Sequence, residues 1–145
     1  MRGGVKPGRP SGAVTFLFTD VEDSTGSWDR LPGAMRGALE RHDRILQDAI
    51  TAHAGFVFSR GGDGVAVAFE RAGDAVAAAV EAQHALLGEP WPAALELRVR
   101  MGLHTGEPEE RDGDYLGPPL NREARLMSAA HGGQILVSAT TAEML

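Results

Sequence analysis

The chain has 145 residues, 20 acidic against 14 basic side chains, a formal net charge of −6 and no cysteine. That length suits one domain with an apolar core of its own. The missing cysteines exclude disulfide staples and thiolate metal sites, and the negative balance argues against non-specific nucleic-acid binding.

The first twelve residues, MRGGVKPGRPSG, are rich in glycine and proline, lack an apolar stretch and predict a disordered lead-in rather than a signal peptide. AVTFLFTD (13–20) is a short β-forming apolar run that ends in polar residues, the pattern of a buried central strand. VEDSTGSWDRLPG follows as a turn-rich connection. Leu39, Leu46, Ala49, Ile50 and His53 recur at helical spacing and predict a helix over 34–53, stopped by Gly55. FSRGGDGVAVAF (58–69) reads as two strands around a glycine-flanked Asp63, with Asp63-Gly64 as the hairpin signal.

An alanine-rich helix is expected over 74–87, ended by Pro90 and Pro92. Leu95, Leu97, Val99, Met101 and Leu103 alternate with polar residues, as in a half-buried strand. RDGDYLGPPLN is a loop with a further turn signal. A helix over 120–130, the strand QILVS and a final helical start, ATTAEML, complete the chain. No run is long and apolar enough to cross a bilayer, since AGDAVAAAV is short and carries Asp74. A soluble cytoplasmic protein with neither membrane nor nucleic-acid partners is expected. The first six elements follow the β-α-β-β-α-β order of a ferredoxin-like α+β fold, with one more helix and strand towards the C-terminus.

In such a sheet the strand ending at Asp20 neighbours the hairpin that carries Asp63. Convergent aspartates with main-chain carbonyls make an all-oxygen site for Mg²⁺ or Mn²⁺. Two such ions about 3.5–4 Å apart clamp the oxygens of a phosphoryl transfer. Each aspartate also has an ordinary reading, one as a cap and the other as a turn residue. Asn121 and Arg125 are four apart and share a helix face, where an amide suits a sugar oxygen and a guanidinium suits phosphoryl oxygens. A solvated helix face is the alternative, and it is the expected role of Arg122 and Glu123.

FTDVEDST, GGDGVAVAF, RMGLHTGE and DYLGPPLNREARL, in this order and spacing, resemble the catalytic domain of class III nucleotidyl cyclases, the adenylate and guanylate cyclase family, over 13–145. The resemblance implies head-to-tail homodimers with active sites at the interface and ATP converted to cyclic AMP. It implies two metal ions held by Asp20, Asp63 and the carbonyl of Val21. It assigns Asn121 and Arg125, reaching in from the partner subunit, to the ribose and the transition state, and Asp114 to the adenine amino group. Ser59 stands where adenylate cyclases of this family usually carry a base-reading lysine. The only lysine of the chain is Lys6, and Arg60 would face the opposite side of the sheet. Loss of that charge-assisted contact costs on the order of 1.5–3 kcal/mol. Family domains usually continue through one more hairpin after QILVS, so weak activity is expected, or a silent regulatory and dimerisation module. A diguanylate cyclase fits poorly, because Gly64-Val65 replaces the Glu-Phe of its GGDEF signature.

Overall fold

The computed structural model describes residues 8–145. The lead-in expected over 1–12 lies outside the described residues as far as position 7.

The main sheet has five strands in the order β2-β3-β1-β4-β7. Strand β1 (Val14–Val21) lies between β3 (Gly64–Phe69) and β4 (Val99–Gly106), antiparallel to both, and β2 (Phe56–Gly61) pairs antiparallel with β3. These four strands realise the expected ferredoxin-like core. Strand β7 (Ile135–Val137) joins β4 in parallel at the edge.

Strand alternation gives the sheet two different faces. Leu17, Val21, Val65, Val67, Phe69, Val99, Met101 and Leu103 point to one side and are almost fully buried. There they pack with helices α2 (Pro32–Ala52) and α3 (Ala72–Gly88) in one apolar cluster. The other side is covered in part by helix α4 (Pro118–Ala129). A side chain at Gly102 would sit 2.7 Å from Glu123 Oε1 and 2.9 Å from the Met127 nitrogen, so the bare strand position lets α4 lie close.

The same open face carries Phe16, Phe18, Phe56, Phe58 and Tyr115. Tyr115 belongs to a small hairpin, β5 (Glu109–Arg111) and β6 (Asp114–Leu116), in the stretch read from sequence as a loop. Its turn residues Asp112 and Gly113 both have positive φ, the conformation a tight two-residue turn demands. Arg9 stacks 3.9 Å over the Tyr115 ring and the Tyr115 hydroxyl donates to the Pro10 carbonyl at 2.6 Å, tying the described part of the lead-in to this hairpin.

Two further expectations are corrected. STGSWDR forms a short helix, α1 (Ser24–Arg30), within the segment read as turns. Ser27 is buried and Pro32, at the start of α2, presets the next helix, so tertiary packing overrides weak local propensity. The alternation at 95–103 continues in burial, but the strand begins only at Val99. Its partner β1 ends at Val21, opposite Val99, so Leu95 and Leu97 are buried without a ladder to join. A last short helix, α5 (Ala139–Ala142), is capped by the Ser138 hydroxyl.

Candidate active site

The β2–β3 hairpin turns on Gly62 and Asp63, closed by the pair Gly61 and Gly64, rather than on Asp63-Gly64 as the dipeptide suggests. Gly62 supplies the positive φ of +54° at the first turn position. Gly64 has a different task. A β-carbon there would lie 2.7 Å from the Thr19 carbonyl oxygen and 3.7 Å from Asp20 Cβ. Only glycine allows the hairpin to press against the end of β1, and that contact sets Asp63 beside Asp20. Both aspartates line one cleft of about 270 Å³ with Phe18, Ser59, Ala66 and Met127. The Oδ2 atom of Asp63 is buried and has no hydrogen-bond partner among the described residues. A desolvated acceptor of this kind is costly unless a ligand completes it.

Ser59 reaches the cleft through a β-bulge. Val57 pairs with Val67, but Ser59, two residues on, pairs with Ala66. Phe58 is the extra residue, and Ser59 therefore shares the open face with Ala66. Arg60 faces the opposite side, where its guanidinium donates to Gln47 on α2. The Val21 side chain lies in the core at 4% exposure, and Val21 is not among the residues that line the cleft.

Asp20 has a partner that the sequence reading missed. Arg100 lies directly across from it in the β1–β4 register. Its Nε donates to Oδ1 at 2.7 Å and its Nη2 to Oδ2 at 2.5 Å, a bidentate fork. The carboxylate raises the guanidinium's pKa above its already high ordinary value, chiefly through this hydrogen bond. Nη1 also donates to the Ser128 carbonyl, linking the pair to α4. The signal was available: period-2 alternation puts Arg100 on the open face with Gly102 and His104.

Asn121 and Arg125 sit elsewhere. Both are exposed on α4, and Arg125 lines a second cleft with His104, Arg122, Leu126 and Ser138. The two clefts share no residue. Asp114 opens β6, exposed, with Oδ1 accepting from the Tyr115 main-chain N–H at 2.9 Å. The structure thus brings Asp20, Ser59 and Asp63 together and leaves Asn121 and Arg125 on a neighbouring surface of the same open face.

Glu123 was read as a solvated helix residue and is the reverse. It is fully buried beneath α4, and neither carboxylate oxygen closes a well-formed hydrogen bond among the described residues. Burial pushes its pKa up to about 10, against a smaller opposing influence from the main chain at His104 and Phe18. Its position three before Leu126, on the inward side of an amphipathic helix, was the only sequence signal.

A ferredoxin-like sheet extended by a parallel edge strand, with two aspartates meeting at the end of its central strand, defines the class of fold that nucleotidyl cyclases use. The model of the adenylate and guanylate cyclase catalytic domain matches residues 7–145. The chain belongs to that family. An uncharacterized protein of Mycobacterium tuberculosis is 43% identical over 138 residues, 94% of this chain and 46% of that protein. An adenylate cyclase of Podospora anserina is 34% identical, with 89% of this chain aligned to 7% of its own length. The chain therefore spans less than half of the curated relatives it matches. Among solved structures, an adenylate cyclase of Trypanosoma brucei, analysed in its monomeric state, superposes with a TM-score of 0.87 at 28% identity, over 100% of this chain and 80% of that one. Among the described residues, no helix is long and apolar enough to cross a membrane.

Proposed function

We propose that the chain is the catalytic domain of a metal-dependent adenylate cyclase, converting ATP to 3′,5′-cyclic AMP and pyrophosphate at sites shared by two copies. The observation that carries this reading is the shared cleft of Asp20 and Asp63, with an orphaned buried oxygen on Asp63. Mg²⁺ uses one or two carboxylates and completes its shell with water and substrate phosphates, so this donor set fits. Asp20, Asp63 and the Val21 carbonyl would hold one or two ions of Mg²⁺ or Mn²⁺. When bound, the ions supply charge neutralisation and a more acidic ribose 3′-hydroxyl.

The chain's own groups do the rest. The turn of Gly61, Gly62 and Gly64 keeps the main chain low enough for a triphosphate to approach. Ser59, on the cleft face, offers one uncharged hydrogen bond to the base, and Asp114 accepts from an exocyclic amino group, which favours ATP over GTP. Asn121 orients the ribose, and Arg125 meets the charge that develops on the transferring phosphoryl group. Because the attack is intramolecular, positioning accounts for most of what the protein must provide. Asn121 and Arg125 do not join the aspartate cleft within one chain, and this separation supports an isologous dimer in which each copy completes the other's site.

The Arg100–Asp20 fork supports a second reading, a silent regulatory module. In this state the carboxylate is already neutralised, and a cation must displace a bidentate guanidinium. Cyclic AMP formation from ATP with Mn²⁺, beside Asp63→Ala, decides between the two: product from the parent chain alone supports the enzyme, and equal traces leave the module. Mixing Asp63→Ala with Arg125→Ala chains tests sharing, because only shared sites regain activity. Ser59→Lys should improve ATP use by roughly tenfold.

A further inference from the structure

The second cleft, of about 390 Å³, is lined by His104, Arg122, Arg125, Leu126 and Ser138. We infer that it binds the polyphosphate group of a nucleotide, with Arg122 and His104 as phosphate-contacting residues beside Arg125. This inference deepens the cyclase reading, which assigns a role to Arg125 alone.

Arg122 and Arg125 are three apart on α4 and project on the same side of it. No carboxylate lines the cleft, although acidic residues outnumber basic ones in this chain. Neither guanidinium forms an ion pair among the described residues, as is also true of Arg36, Arg44, Arg60, Arg71 and Arg98, but of these only Arg122 and Arg125 share a cleft. Two unneutralised guanidiniums over one concavity suit an anion with several oxygens, which each can grip in a fork.

His104 makes the cleft a built site rather than a basic patch. The residue is 7% exposed, and Nδ1 lies 2.9 Å from the Ser138 hydroxyl. That hydroxyl accepts from the Thr141 main-chain N–H at 3.3 Å. Thr141 in turn bonds Thr105 at 2.8 Å, and Thr105 bonds Thr15 at 2.9 Å. This relay runs round the edge of β4 and fixes the ring. In the tautomer where the Ser138 hydroxyl donates to Nδ1, the ring proton is on Nε2 and available to a ligand in the cleft. Burial, helped by the charge of Arg122, lowers the imidazole's pKa and keeps it neutral near pH 7. A neutral N–H donor adds to the two guanidiniums in the same cleft, and phosphoryl oxygens are acceptors only.

The test uses the full chain, metal-free, with inorganic tripolyphosphate as the probe, followed by calorimetry and by the His104 imidazole NMR signals. The parent chain should bind and shift those signals. Arg122→Gln should weaken binding by roughly tenfold to a hundredfold, and Arg122→Lys by less, because a lysine keeps the charge and loses the fork. ATP binding more tightly than tripolyphosphate shows that the base or ribose is held as well, and equal affinity shows that the phosphates alone are gripped; both support the site. A folded Arg122→Gln chain with unchanged affinity, or tripolyphosphate binding that leaves His104 unshifted, overturns it. Failure here is distinguishable from failure of the cyclase reading. Cyclic AMP formation without tripolyphosphate binding removes this site alone, whereas binding without product retains the site and removes the enzyme.

Discussion

The molecule contains two Asp-Gly hairpins that serve different ends. At β5–β6, Asp112 and Gly113 are the turn itself, both at positive φ and both exposed, and a β-carbon on Gly113 would meet nothing within 4 Å. At β2–β3 the turn has moved back one residue, to Gly62 and Asp63. Gly64 is freed to press on β1, and Asp63 turns a buried oxygen into a cleft. The same dipeptide closes a hairpin in one place and aims a carboxylate in the other. What separates them is an extra glycine before the aspartate and a strand end within reach.

Substituting the two aspartates is the strongest way to break this comparison. Asp63→Ala should lower cyclic AMP formation at least about a hundredfold, whereas Asp112→Ala should stay within about twofold. Equal losses would reduce Asp63 to a turn residue.

A third carboxylate separates burial from function. Glu123 has no cleft, and its acid form is the folded form. Its pKa is about 10 when folded against an ordinary 4.5. Between those values the native chain keeps a proton that the unfolded chain has released, so stability falls as pH rises and levels off above about 10. The slope is about 1.4 kcal/mol per pH unit, or about 3 kcal/mol from pH 7 to 9. His104, whose pKa is lowered, acts oppositely but only below its ordinary 6.5. Denaturant titrations across pH 7–9 should show this slope in the parent chain and its loss in Glu123→Gln.

The glycines sharpen the contrast further. Gly64→Ala forces a β-carbon against the Thr19 carbonyl, should cost about 1–3 kcal/mol of stability, and should also lower activity. Gly113→Ala meets no atoms but must hold φ near +81°, at about 1–2 kcal/mol, and should leave activity intact once folded. The smallest effect is thermal. Mn²⁺ at ten times its dissociation constant should stabilise the parent chain by about 1.4 kcal/mol, a rise of a few degrees, and Asp112→Asn equally, but not Asp63→Asn.

Most of the fold was legible because its elements carry their own periodicity. The apolar run of β1, the helical repeat from Leu39 to Ile50 and the alternation through Met101 each state a period and a face. The cyclase resemblance added order and spacing, and the family match agrees with it. Harder to read were features set by a partner elsewhere in the chain. Helix α1 depends on what buries Ser27, and the Asp20–Arg100 fork depends on the β1–β4 register. Glu123 lies inward because Gly102 leaves it a space. Arg60 does face away from the cleft as expected, but the bulge at Phe58 that brings this about is not visible in the residue pattern.

The bulge also works as a parity control on β2. If the strand relaxed to an uninterrupted ladder and the two-residue turn grew by one, Ser59 would rotate towards α2 and Arg60 would take its place in the cleft. A change of backbone spacing alone would then exchange a neutral lining residue for a cationic one, with no codon for either rewritten.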